Sequence, residues 1–149
     1  MNFEEEIKQY KFSSEYQKAM LNLMFTGNWV NSLNAKYFKQ YNLSPQQFNI
    51  LRILKGQYPK PASINLLMER MLDRMSNTSR LVEKLRQKGF VGRHICEDDR
   101  RQVDVIITEK GLDLLQEIEG SIEKIEFCCS NLSIEELKNL NLLLDKLRG

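Results

Sequence analysis

The chain has 149 residues, 42% of them hydrophobic, and lacks the apolar run of about 18 residues that a membrane helix needs, so one domain with an ordinary core is expected. Its three cysteines show no C-x-x-C spacing and its histidine stands alone, which argues against a disulfide framework and a zinc site. The net charge of +2 does not announce a nucleic-acid binder, yet it divides as +1 over residues 1–50, +6 over 51–101 and −5 over 102–149. A basic middle segment is where phosphate contacts would sit, although charge alone fits a solvated face equally well.

The opening MNFEEEIKQYKF is acidic and has no apolar signal core, so no secretory signal and a cytoplasmic location are expected. A helical region is predicted over about 4–41, with a break near Ser13 and Ser14. Tyr16, Met20, Leu23, Val30, Tyr37 and Tyr41 recur there at helical spacing, with Phe25, Trp29 and Phe38 nearby, and most are expected in the core. Next comes LSPQQF, which places Ser44 at N-cap, Pro45 at N1, Gln47 at N3 and Leu43 against Phe48 as a staple. The helix it starts should run to about Lys55, where Gly56, Pro59 and Pro61 mark a loop. Ser63 then caps a short helix over 64–71.

After a turn of Leu72, Asp73, Arg74 and Met75, Thr78, Leu81, Val82 and Leu85 return at helical spacing. Ser76 can serve as N-cap and Gly89 as the left-handed stop, which gives a helix over 76–88. Leu66, Leu67, Met71 and Met75 supply apolar faces on which the two helices can cross over a shared core. Ser76, Ser79, Arg80, Glu83, Lys84 and Gln87 are left outward. Two β-prone runs over 90–96 and 103–107 flank the tip Glu97, Asp98, Asp99, Arg100, Arg101, so a helix is followed by a hairpin, as in a winged helix.

Thr108 caps a predicted long helix over 109–130, in which Leu115, Ile118, Ile122, Ile125 and Cys129 are spaced three, four, three, four. That narrow seam suits a helix partner. LSIEEL repeats the start signal with Ser133 at N-cap and Glu136 at N3, and the helix from Ile134 carries Leu137, Leu140, Leu144 and Leu147 on one stripe beside Leu142 and Leu143. So much leucine points to a homodimer interface made with the N-terminal helix, the alternative being an intrachain bundle.

The run over 66–111, with SNTSRLVEKLRQKG, FVGR, EDDRR and TEKG in that order, resembles the MarR family of dimeric winged-helix transcription regulators. The resemblance implies a mainly α fold with a small β-hairpin wing: one domain over 1–149, with a winged helix-turn-helix over 44–108 and dimerisation helices over 1–41 and 109–149. It implies a regulator, most simply a repressor, whose homodimer presents two copies of the 76–88 helix to successive major grooves of double-stranded DNA. The operator should then be a pseudo-palindrome. On the outward face Asn77 and Arg80 can make bidentate contacts with base edges, while Ser79 and Lys84 can also serve phosphates. The family's Asp-x-Arg wing motif falls on Asp99 and Arg101. By resemblance Arg101 enters the minor groove and Asp99 orients the wing arginines, while Arg100 contacts phosphate.

No catalytic constellation is visible: there is no phosphate-cradling glycine loop, no metal-ligand pair and no cofactor signature, and His94 belongs to a wing strand. Cys128 and Cys129 are helix neighbours about 100° apart and poorly placed to bridge each other, so buried seam thiols are expected, with Cys96 filling a strand. The family's peroxide sensors use a cysteine near the N-terminal helix, and this chain has none before Cys96. Phe25, Trp29, Tyr37 and Phe38 are more aromatic than a seam requires and could line a pocket for a small aromatic or anionic effector, the alternative being ordinary core. A winged-helix module that binds protein and, more distantly, a redox thiol protein are the other readings.

Overall fold

The computed structural model describes residues 2–95, 103–120 and 129–149. Its order is α1 (Phe3–Glu6), α2 (Glu15–Lys39), α3 (Pro45–Gln57), β1 (Ala62–Ser63), α4 (Ile64–Arg70), α5 (Thr78–Gln87), β2 (Val91–Ile95), β3 (Val103–Ile107), α6 (Glu109–Glu119) and α7 (Ile134–Arg148). This is the expected mainly helical chain with a small antiparallel wing. Among the described residues, no helix is long and apolar enough to cross a membrane.

The helix starts are written in side-chain chemistry. Ser14 accepts from Gln17 N and opens α2, in line with the predicted break at Ser13 and Ser14. Ser44 and Gln47 form a full capping box, with Gln47 N to Ser44 Oγ at 3.1 Å and Ser44 N to Gln47 Oε1 at 3.0 Å. Two orphan donors are satisfied reciprocally. Ser133 and Glu136 repeat the device at the start of α7, and Thr108 caps α6 by accepting from Gly111 N at 3.2 Å.

Three boundaries differ from expectation. Helix α3 continues through Gly56 to Gln57, because one glycine costs a helix only about 1 kcal/mol while the stop comes from Pro59, which forces Tyr58 into extended backbone at ψ 136°. The cap of α5 is Asn77, not Ser76: its side chain accepts from Arg80 N at 3.0 Å. Helix α6 is described as far as Glu119, Ser130 and Asn131 form a turn, and the rest of the expected long helix, including Ile122, Ile125 and Cys128, lies outside the described residues.

The wing is a three-stranded sheet of order β1-β3-β2 rather than a bare hairpin. Ala62 pairs with Val105 and Ser63 with Asp104, while Val91 to Ile95 run antiparallel to Ile107 to Val103. Strand β3 is therefore central. Its Val105 and Ile107 are buried with Ile50, Leu51 and Leu54 of α3, Leu67 of α4, Val82 and Leu85 of α5, and Leu115 and Ile118 of α6. One core thus joins the helix-turn-helix, the wing and the first turns after it.

That core corrects the reading of α6. Leu115 and Ile118, expected on a seam for a partner helix, are fully buried in their own protomer. Three-four spacing marks one apolar face and is blind to which chain covers it. Met75, expected beneath the two crossing helices, is 94% exposed, because it sits in the turn where Asp73 Oδ1 accepts from Met75 N at 3.1 Å. Tyr16, Met20 and Leu23 of α2, expected mostly as core, lie on the surface of the protomer, whereas Phe38 is buried and Tyr37 and Tyr41 pack against the core. Cys129, expected buried, is exposed.

Candidate nucleic-acid interface

Helix α5 is fixed from inside and presented outward. Thr78, Val82 and Leu85 are buried beneath it, so the opposite face is left to Ser79, Arg80 and Lys84, all exposed. Gly89 at φ +79° closes the helix in the left-handed conformation that side chains with a Cβ resist. Thr108 then donates its hydroxyl to Gly89 O at 2.7 Å, and Lys110 Nζ donates to Lys88 O at 2.8 Å while lying over the Phe90 ring. The end of the helix is thereby tied to the start of α6. Lys88 donates to the carbonyl of Asn42 and to Gln47 Oε1 at 3.4 Å, which ties the same end to α3, and its ammonium pKa is lowered by burial and by nearby Lys84.

The turn before α5 is equally well held. Asp73 accepts from Ser76, Gln46 and Met75 N, and these bonds lower its pKa. Asn49 Oδ1 accepts from Leu72 N at 2.9 Å, so α3 supports the turn directly.

Of the residues the sequence nominated, Ser79, Arg80 and Lys84 sit together on the outward face, and Arg80 and Lys84 line a shallow cleft with Gln46, Ser76, Asn77 and Leu81. Among the described residues neither cation has an ion pair. Asn77 is on the same surface, and its amide oxygen already accepts from Arg80 N in the helix cap while its NH2 is a donor. Asp99, Arg100 and Arg101 lie outside the described residues, as does Cys96, and His94 is in strand β2 opposite Asp104.

Sequence reasoning missed Glu83. Arg86 Nη2 and Nε reach its two carboxylate oxygens at 2.8 and 3.0 Å, and Arg93 Nη2 from strand β2 reaches Oε2 at 3.1 Å. Its pKa is lowered to about 2, first by the Arg86 hydrogen bonds and then by the charges of Arg86 and Arg93. The Arg86 contact was legible as an i,i+3 pair; the Arg93 contact needs the strand's position.

Among the described residues, the four aromatic residues offered as an effector pocket line no common cavity. Phe25 and Trp29 line a cavity of about 330 Å³ with Phe3, Asn22, Thr26 and Asn131. Phe38 lines another, of about 430 Å³, between α2, α3 and the turn, with Asn34, Phe48, Asn49, Arg52 and Leu72. Tyr37 instead stands edge-on to Phe38 at 5.3 Å, with its hydroxyl 3.5 Å from Ile118 O. Side chains eight to thirteen residues apart on α2 are simply too far along its axis to converge.

Residues 43–103 match the model of the MarR family. The HTH-type transcriptional regulator MgrA of Staphylococcus aureus is 31% identical over 111 residues, 74% of either chain. The chain belongs to the MarR family. MarR proteins are transcription regulators rather than enzymes. A MarR transcription factor from Planctomyces limnophilus is 30% identical with a TM-score of 0.71, covering 91% of this chain and 98% of its own. The S. aureus MepR structure, a complex with DNA, has the same MarR fold at a TM-score of 0.76 and 19% identity, over 92% of this chain and 97% of its own.

Proposed function

We propose that this MarR protein is a sequence-specific DNA-binding repressor that acts as a homodimer on a pseudo-palindromic operator. The observation that carries the reading is the exposed Arg80 and Lys84, without an ion pair among the described residues, on the outward face of a helix whose inner face and both ends are locked. In this reading α5 enters the major groove, Ser79, Arg80 and Lys84 supply base and phosphate contacts, Asn77 adds a donor, and Arg101 reaches the minor groove with Asp99 orienting it and Arg100 on phosphate. The MepR–DNA complex supports the partner by likeness of fold. Helices α2 and α7 are the dimerisation helices, supported by their exposed Met20, Leu23, Leu143 and Leu147.

Selection of duplexes from a random library by the full chain, followed by shift assays across a salt range, tests this. Arg80→Ala should cost the selected duplex about 1–3 kcal/mol and relax preference at one base position per half-site. Selection that enriches no sequence would overturn the reading.

The effector site moves from the aromatic quartet to the cavity lined by Phe38 and Arg52. An apolar floor, amide side chains and a guanidinium suit a small aromatic acid, and contact with Leu72 and Asp73 would reach the turn that supports α5. Such a ligand releases DNA only by binding the DNA-incompetent arrangement more tightly. Aromatic acids should weaken binding of the selected duplex by the wild type and fail to do so with Arg52→Ala; equal action on both would remove the site.

A further inference from the structure

Glu83 is the acidic side chain of a helix that otherwise offers Arg80, Lys84 and Arg86. A carboxylate on a DNA-facing surface repels phosphate whatever the base sequence, so on its own it lowers affinity uniformly. An exposed ion pair also adds little to folding. Neither affinity nor stability accounts for the arrangement.

What Glu83 does have is reach across two elements. Arg86, one turn on, grips both oxygens, and Arg93 joins from β2, a strand of the wing. Gln87 adds a contact at 3.4 Å. The cations near this surface are therefore divided: Arg80 and Lys84 carry no ion pair among the described residues, whereas Arg86 and Arg93 are both held on one carboxylate. A bidentate guanidinium pair fixes orientation better than a point contact, and here Arg86 holds the Glu83 carboxylate in place for the single Arg93 contact that joins the wing strand to the recognition helix.

We infer that Glu83 is a positioning residue for DNA recognition: it clasps the wing strand to the recognition helix through Arg93 and keeps Arg86 and Arg93 off the phosphates. Non-specific binding rests almost wholly on phosphate contacts, so holding two guanidiniums back weakens it. Base readout depends instead on the helix and wing meeting their grooves in fixed register, which the clasp supports. Glu83 thus raises discrimination at some cost in raw affinity. The inference rests on the DNA-binding reading above.

The test uses the full chain as wild type, Glu83→Gln and Glu83→Asp, titrated across a salt range on two probes. One is a duplex selected from a random library by the wild type; the other is poly(dI-dC). Glu83→Gln should bind poly(dI-dC) about tenfold more tightly at low salt, with a salt slope steeper by about 0.9 for each arginine that reaches a phosphate. The selected duplex should not gain in parallel, so the ratio of the two affinities falls about tenfold. Glu83→Asp, which keeps the charge, should recover part of that ratio. A residue that merely supported the fold would move the melting temperature and leave the salt slope alone. Wild-type slope and ratio in Glu83→Gln would overturn the inference, and so would an equal gain on both probes, which is charge without positioning. If the wild type selects no duplex, it is the DNA-binding reading that fails.

Discussion

The winged-helix half of the chain and its helical ends solve the problem of apolar surface differently. From α3 to α6 the large aliphatic side chains turn inward, and Ile50, Leu51, Leu67, Leu85, Leu115 and Ile118 are at 1% exposure or below. Helix α7 buries no residue, and Leu142, Leu143 and Leu147 stand at 65–67% exposure. Helix α2 lies between these extremes, anchored by Phe38 near its C-terminus and bare at Tyr16 and Met20. The first half is complete as one chain. The ends leave large apolar side chains exposed, the kind of surface on which the homodimer proposed above would close. In that homodimer a two-fold axis sets each bare face against its equivalent.

The sharpest way to break this contrast is to charge the bare end. Leu143→Arg with Leu147→Arg should leave the protomer's helical content and winged-helix core unchanged, yet give a monomer by sedimentation. Its affinity for the selected duplex should fall about 100-fold or more, because two linked half-site contacts become one. A charged variant that stays dimeric and binds normally would place the interface elsewhere.

The complementary perturbation strikes the closed half where its layers touch most tightly. A Cβ at Gly111 would lie 2.4 Å from Phe90 O and 2.7 Å from Ile107 Cγ1, so backbone and β3 would both have to give. Gly111→Ala should therefore destabilise the chain by about 1–3 kcal/mol, through overpacking rather than any lost contact. Urea unfolding of this variant, against Gly27→Ala, whose Cβ meets nothing within 4 Å, measures the difference. Equal stability of the two would mean that α6 sits farther from the wing than described.

The same two halves differ in how far the sequence discloses them. Capping boxes at Ser44 and Ser133, the left-handed Gly89 and the β-prone runs of β2 and β3 are local signals, and each element stands within a residue or two of where they put it. Strand β1 was invisible because two residues cannot show a period, and its pairing partner is some forty positions away. The destination of an apolar face was also illegible. The same three-four spacing sends Leu115 and Ile118 inward while Leu140 and Leu147 of α7 stay exposed, since periodicity specifies a face and not its cover. At the candidate interface the outward set of Ser79, Arg80 and Lys84 follows from helical phase, but Asn77 turned out to cap the helix. Glu83 read as one more solvated charge until the fold brought Arg93 beside it.

The smallest effect expected is a titration, and it tests whether the clasp between helix and wing persists in solution. Glu83 is held at a pKa of about 2 by Arg86 and Arg93, below the ordinary carboxylate value of 4.5. A carboxylate depressed on folding stabilises the folded state above its unfolded pKa, and that contribution is lost as pH falls through the folded one. The clasp is therefore fully charged at neutral pH and fails only between about 4.5 and about 2. Because Glu83 is only half-buried, the effect on global stability is small and salt-sensitive. The informative readout is local: the side-chain carboxyl carbon of Glu83, followed by NMR, should titrate near 2, and Arg93→Ala should move its midpoint upward by less than Arg86→Ala does. That ranking follows from the larger share of the shift that Arg86 carries through its hydrogen bonds. A midpoint near 4.5 in the wild type would mean that the wing strand is not clasped to the recognition helix, and the basis for Glu83 as a positioning residue would go with it.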